Sequence, residues 1–440
     1  MSRILKLCLM VAALMATSVV LFACGGDDDS DSSTTLAGVS AETCGDVIYD
    51  GEGDADALIV SDLPLQGDSE DRSKQMNDAI EEVLDDSEWT AGDTKIAFQA
   101  CDDSLADTGL WDEKTCKDNA TAYDGQAEVL GVIGTYNSGC AEAMIPILNK
   151  SALAMVSPGN TAICLTETAS SCENGTPDSL YPSGDRNYAR VVPNDAAQGA
   201  GLVTFAEKQG YGKVAVLYAA DDPTSLGQAE TFTNSAEPGG VKVTSNESWD
   251  PEAKDYTALM KKVGKTNPDA ILLAGLTEQN GGRLIKDKVS VLGPNDGDVA
   301  LMAPDGFAQQ STIDEAGSAA RGMFASVPGR APELLPGPGK ELVDSISDEV
   351  DGAAVEVYAP YAGQAADVLL QAIAAGGTNR ADITKALYGL QITDGITGSF
   401  EITETGDPSV SPITVNEASD VFSPKEVVEP TPALIKAARG

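Results

Sequence analysis

Val129-Leu130-Gly131-Val132-Ile133-Gly134-Thr135-Tyr136-Asn137-Ser138-Gly139-Cys140 begins as an unbroken apolar run, turns through small and polar residues, and opens a segment, Cys140–Leu148, with helical spacing. An apolar run with no polar alternation reads as a strand covered on both faces, and strand, turn and helix in that order make the first half of a βαβ unit. The same alternation extends in both directions. Strand-like runs fall at Leu58–Val60, Ile96–Phe98, Leu153–Val156, Val214–Tyr218, Val241–Ser245, Ala270–Ala274, Val299–Met302 and Phe324–Val327. Helix-spaced segments lie between them at Arg72–Leu84, Asp112–Tyr123, Ala196–Lys208, Leu226–Ser235, Tyr256–Val263 and Gly282–Val289. This order predicts an α/β fold of doubly wound parallel sheets.

The strands form two series. One ends at Val156, a turn-rich stretch covers Ser157 to Asn187, and the second series begins near Val191. A Pro/Gly cluster from Pro328 to Gly339 then precedes a long helical pattern, Tyr358 to Ala375, read as a return crossing to the first lobe. Two lobes joined by more than one crossing leave a cleft that opens and closes about hinges.

Composition removes whole classes of function. The 440 residues carry 28 Lys+Arg against 69 Asp+Glu, a net charge of −41, and no histidine. A surface this acidic repels phosphate backbones and anionic headgroups, so no nucleic-acid partner is expected. Without histidine there is no Ser-His-Asp or Cys-His catalysis, and the commonest neutral metal ligand is missing. The G-x-S-x-G, Walker A, G-x-G-x-x-G and H-E-x-x-H patterns do not occur. No catalytic residue, cofactor or metal is expected; a secreted hydrolase using two carboxylates is the remaining enzymatic reading.

The N-terminus reads as an address. Arg3 and Lys6 precede an apolar stretch, Leu7 to Phe22, that ends in Leu21-Phe22-Ala23-Cys24. This motif resembles the lipobox of bacterial lipoproteins, which implies removal of residues 1–23, lipidation of Cys24 and an extracytoplasmic protein held at a bacterial membrane. Residues 24–43, with Asp27, Asp28, Asp29 and Asp31, read as an acidic flexible tether. Beyond Cys24 an even number of cysteines remains, as expected of disulfides in an oxidising compartment. Cys164 and Cys172 flank a short polar loop and pair with each other, while Cys44, Cys101, Cys116 and Cys140 allow three pairings.

In open α/β sheets ligands bind beyond the carboxyl ends of the strands, and three loops there draw attention. Ser138 is placed to cap the helix that follows it and to offer a hydroxyl to a ligand carboxylate. Ser157-Pro158-Gly159-Asn160-Thr161 supplies close backbone approach at Gly159 and a hydroxyl at Thr161. Ala303-Pro304-Asp305-Gly306 places a carboxylate where an ammonium group could meet it. Taken singly, each is also an ordinary turn or cap.

Together with Leu63-Pro64-Leu65-Gln66-Gly67, Cys101-Asp102-Asp103 and Gly131-Val132-Ile133-Gly134, these loops resemble the type I periplasmic binding proteins of the branched-chain amino acid family, over roughly Ala57 to Glu401. The resemblance implies two lobes joined by a three-strand hinge: 44–190 with 328–398, and 191–327 with 399–425, followed by a C-terminal tail, 426–440. It implies that Ser138 and Thr161 hold an α-carboxylate, that Asp305 takes the α-ammonium where the family usually has Glu, and that Tyr136, Asn137, Gly159, Asn160, Leu276 and Gly306 line the cleft. It further implies the pairings Cys101–Cys140 and Cys44–Cys116. The function implied is that of a monomeric, lipid-anchored solute receptor that closes over an amino acid or similar zwitterion and delivers it to an ABC permease. A ligand-sensing receptor acting on a membrane signalling partner is the alternative.

Overall fold

A computed structural model describes residues 36–440 apart from 107, 173, 174, 221 and 350–353. The signal segment, Cys24 and most of the tether lie outside the described residues.

The chain first lays down β1 (Cys44–Ile48), β2 (Ala57–Leu63), α1 (Glu70–Asp86), β3 (Thr90–Ala91), β4 (Thr94–Asp102), α2 (Glu113–Gly125), β5 (Val129–Gly134), α3 (Ser138–Leu148), β6 (Ala154–Ser157) and β7 (Tyr188–Arg190). The sheet order is β1-β4-β2-β5-β6-β7, with β3 also on β4. From β4 to β7 all neighbours are parallel, while β1 and β3 run antiparallel to β4. Every residue of β2 and of β5 is buried; β5 is an apolar run without alternation, while β2 buries Ser61 and Asp62 along with its apolar residues.

The second sheet follows through α4 (Asp195–Gln209), β8 (Lys213–Ala219), α5 (Pro223–Ala236), β9 (Lys242–Trp249), α6 (Thr257–Gly264), β10 (Ala270–Ala274), α7 (Gly281–Leu292), β11 (Ala300–Ala303), α8 (Gln310–Ala316) and β12 (Phe324–Pro328). The chain then returns to the first sheet with α9 (Gly337–Glu349), α10 (Ala359–Gly376), α11 (Arg380–Leu387) and the hairpin β13 (Gln391–Gly395) and β14 (Gly398–Glu401). There α10 packs on α1, β5 and β6. A last crossing leads to β15 (Ile413–Ala418), β16 (Phe422–Val428) and α12 (Pro432–Ala438), giving the order β16-β15-β12-β11-β10-β8-β9. The first lobe has one large core, and the second has a separate core on each face of its sheet, with Phe205 and Phe232 on one side and Trp249 and Phe307 on the other.

Helix starts follow the local chemistry. The Asn194 side chain accepts from the N–H groups of Ala196 and Ala197, and that of Asp112 from Thr115 N–H, satisfying donors that the first helical turn leaves open. The crossing at 191–194 and the one near 403–412 are tied by a buried ion pair. Arg190 Nε donates to Asp407 Oδ1 at 2.9 Å, and Arg190 Nη1 donates to the carbonyls of Asn160 and Ala162.

Four expectations need correction. The disulfides are Cys44–Cys101, Cys116–Cys140 and Cys164–Cys172; only the last was expected, and Cys101–Cys140 and Cys44–Cys116 do not form. The reason is β1, whose antiparallel register sets Cys44 directly opposite Cys101. Cys116 on α2 and Cys140 on α3 then meet because those two helices pack together. Residues 426–440 are no tail, since they complete β16 and form α12 against α4 and α5. Residues 399–402 sit with the first lobe, where Phe400 and Ile402 join its core. The described end of the tether is also docked: Val39 is buried, its N–H bonded to Gln99 Oε1 at 2.7 Å.

Candidate functional site

Between the two sheets lies a cavity of about 480 Å³. Its walls come from segments that follow parallel strands of both sheets. The first lobe gives Ser69 and Arg72 after β2, Trp111 after β4, and Tyr136 and Asn137 after β5. The second lobe gives Leu276 and Glu278 after β10, and Asp305, Gly306 and Gln309 after β11. A larger hollow, about 680 Å³, sits at the opposite, amino ends of β6 and β7, lined among others by Lys150, Arg186 and Lys385. Placement at strand carboxyl ends, with both lobes contributing, makes the smaller cavity the candidate site.

Asp305 anchors it. The side chain is buried, and its Oδ2 accepts from the Tyr358 hydroxyl at 2.9 Å. Its own N–H donates to Gln198 Oε1 at 3.3 Å, while Oδ1 has no partner among the described residues. Burial pushes the Asp305 carboxyl above its ordinary range. Asp195, at the head of α4, is raised to about 7, by burial first and by the charge of Asp305 second. Tyr136 and Tyr358 meet edge to face with centroids 5.3 Å apart, and the Arg72 guanidinium lies 4.9 Å from the Tyr136 ring centre. Burial lifts the Tyr136 phenol to about 12, so it remains a neutral hydroxyl.

The residues singled out in the sequence divide into two groups. Tyr136, Asn137, Leu276, Asp305 and Gly306 line the cavity together. Ser138, Gly159, Asn160 and Thr161 stand behind that wall. Asn137, rather than Ser138, holds the cap position of α3, and Ser138 Oγ accepts from Ala162 N–H at 3.2 Å. Thr161 is buried, its carbonyl receiving Asp195 N–H at 2.8 Å and its hydroxyl facing the Asp195 carboxylate. Asn160 is fully engaged: its Nδ2 donates to the carbonyls of Thr135 and Tyr136, both at 2.9 Å, and its Oδ1 accepts from the Tyr188 hydroxyl. Gly159 leaves room for the Tyr136 ring, which a Cβ there would approach to 3.0 Å. Gly306 has no such room either, because a Cβ would come within 2.4 Å of the Gly275 carbonyl oxygen.

Asp103, Cys116 and Cys140 come within ligand spacing of one another, yet both sulfurs are joined in a disulfide and unavailable as thiolates. Among the described residues no helix is long and apolar enough to cross a membrane.

Comparison with known proteins decides the family. The model of the periplasmic binding protein family matches residues 63–419. The chain belongs to the periplasmic binding protein family. Leu/Ile/Val-binding protein homolog 2 of Brucella abortus is 25% identical over 383 residues, 85% of this chain and 93% of that protein. Among solved structures, a leucine binding protein from Thermotoga maritima superposes with a TM-score of 0.71 at 21% identity, covering 85% of this chain and 99% of that one. A solute binding protein of an ABC transporter from R. palustris, in complex with benzoate, gives 0.66 at 18% identity, covering 85% and 96%. At these identities the structural likeness speaks for the fold: two α/β lobes with a cleft between them. Members of the periplasmic binding protein family bind solutes and are not enzymes.

In this periplasmic binding protein, sequence reasoning missed Arg72, Trp111, Glu278, Gln309 and Tyr358. Arg72 and Trp111 follow β2 and β4 and were open to the same strand-end rule that found Asp305. Trp111 leaves a further trace at Gly139, where a Cβ would sit 2.5 Å from the indole. Tyr358 carries no such signal, because it follows no strand and reaches Asp305, 53 positions earlier, from the head of α10.

Proposed function

We propose that this protein is an extracytoplasmic solute receptor of an ABC importer, held to a membrane through lipidated Cys24, that captures an amino acid or similar small zwitterion in the interlobe cleft. The observation that carries this reading is the buried Asp305 carboxylate with one oxygen unclaimed at the cavity wall. A buried carboxylate with spare acceptor capacity is costly alone and is relieved by an ammonium group. The solute-binding relatives support the reading, as do related proteins solved in complex with leucine and with isoleucine. In it, Ser138 and Thr161 take the carboxylate end when the lobes move about the crossings. Action is by capture and closure, with no bond made or broken.

The test uses protein starting at Gly25, unfolded and refolded to strip carried-over solute, and screened by thermal shift against amino acids and related zwitterions. A ligand present at a hundred times its dissociation constant adds about 2.7 kcal/mol to the folded state, a rise of a few degrees. The expected outcome is a rise with a small set of zwitterions that Asp305→Asn abolishes. A panel that leaves the melting temperature unmoved rejects the amino-acid receptor.

A further inference from the structure

Arg72, on the first turn of α1, is the one basic residue among the described residues that line the cleft. Its side chain is only 14% exposed. The guanidinium makes one hydrogen bond, from Nη2 to Gln309 Oε1 at 2.8 Å, and Gln309 Nε2 in turn donates to Glu278 Oε1 at 3.0 Å. The nearest acid, Glu356, comes no closer than 3.7 Å to Nε, outside hydrogen-bond reach. Four of the five guanidinium N–H groups therefore have no hydrogen-bond acceptor among the described residues. A largely desolvated cation with a planar set of open donors is the complement of a carboxylate.

The side chains that link Arg72 to Asp305 bear on what that carboxylate belongs to. Arg72 lies over Tyr136, Tyr136 packs edge to face with Tyr358, and the Tyr358 hydroxyl donates to Asp305. The wall thus runs from a cation to a carboxylate with two aromatic rings between them. An α-amino acid bears its ammonium and carboxylate on one carbon, so with the ammonium at Asp305 it is a second carboxylate, further along a chain, that follows the rings to Arg72.

We propose that the cleft selects a ligand whose carboxylate is set off from its ammonium by a chain, as in glutamate or 4-aminobutyrate, and that Arg72 reads this distal carboxylate with its open N–H fork. The proposal rests on the amino-acid receptor reading above and narrows its ligand class. Arg72 also links the first lobe to Gln309 of the second, so a bare latch between lobes is the competing role for it.

Calorimetric titration of the stripped, refolded protein with L-glutamate, 4-aminobutyrate, L-glutamine and L-leucine separates these roles. The two distal carboxylates are expected to bind at least tenfold tighter than glutamine and leucine. Arg72→Met should erase that preference, weakening glutamate and 4-aminobutyrate far more than glutamine and leucine, while Arg72→Lys restores part of it. Gln309→Ala removes the interlobe hydrogen bond and keeps the cation, so whatever affinity it loses as a cleft residue should be lost alike for all four ligands. Leucine or glutamine binding as tightly as glutamate, or an equal loss for all ligands in Arg72→Met as in Gln309→Ala, overturns the proposal while the amino-acid receptor stands. Absence of binding by all four to folded wild-type protein overturns both.

Discussion

Asp305, after β11, and Asp195, at the head of α4, are buried carboxyls, each with an oxygen that has no partner among the described residues, and both are held above the ordinary carboxylate range by burial. An ammonium ligand needs Asp305 ionised. Affinity for the ligand should therefore climb as pH rises through the carboxyl's value in the empty site and then level off, and Asp305→Asn should bind weakly with no such climb. Titrations from pH 4.5 to 8 test this, and a flat wild-type profile counts against an Asp305–ammonium contact. Asp195 bears on stability. With a folded value of about 7 against 3.8 in the unfolded chain, the folded state holds a proton that the unfolded state has lost. Its contribution is complete below pH 3.8 and disappears as pH rises through 7, at a slope of up to about 1.4 kcal/mol per pH unit. Asp407, held low by Arg190 against the opposing effect of burial, works in the other direction, so the comparison must be made by difference. Chemical denaturation of wild type and Asp195→Asn at pH 4.5 and 7.5 should show the variant losing less stability over that interval. Equal losses would mean that Asp195 is solvated and ionised throughout.

At the scale of elements, the parallel strands were legible because they are buried on both faces. β5 and β10 are apolar from end to end, and β2 opens on the apolar run Ala57-Leu58-Ile59-Val60 before Ser61 and Asp62. The edge of the first sheet was not. β1 reads Cys-Gly-Asp-Val-Ile and is largely open to solvent, and in the separate hairpin β14 is Gly-Ser-Phe-Glu; neither has length or period enough to stand out from a loop. Missing β1 meant missing the register that puts Cys44 against Cys101, and with it the pairing of Cys116 and Cys140. The cleft divides in the same way. Asp305 is the first charged residue beyond a strand and could be found by rule, whereas Arg72 sits in Glu-Asp-Arg-Ser-Lys, a charged helix start in which nothing marks the charged side chain that lines the cleft. Peptide mapping without reduction should recover Cys44 linked to Cys101 and Cys116 linked to Cys140. Replacing Cys116 and Cys140 together by Ser should cost about 3 kcal/mol, the loop-closure value for partners 24 residues apart. Recovery of a Cys101–Cys140 peptide instead would remove β1 from its place on β4.

The whole molecule has to fold against its own charge. With 69 acids and 28 bases, most carboxylates have no basic partner, and the ion pairs that do form are largely at the surface, Arg190–Asp407 being the buried exception. Surface pairs contribute little each, so they do not offset the summed repulsion of a chain at −41. Screening acts on that repulsion directly: the Debye length falls from about 30 Å at 0.01 M salt to about 3 Å at 1 M. The same field bears on the cleft, because it opposes the approach of any net anion and leaves Arg72 to act only at short range, after entry. Melting temperature should rise by several degrees between 0.02 and 1 M sodium chloride, with potassium chloride giving the same rise, since screening depends on ionic strength and not on the identity of the cation. Association of glutamate in stopped flow should quicken over the same range while that of net-neutral leucine stays constant. A melting temperature indifferent to salt would show that the acidic surface is not the dominant strain on this fold. A rise confined to one cation would instead point to a specific bound ion.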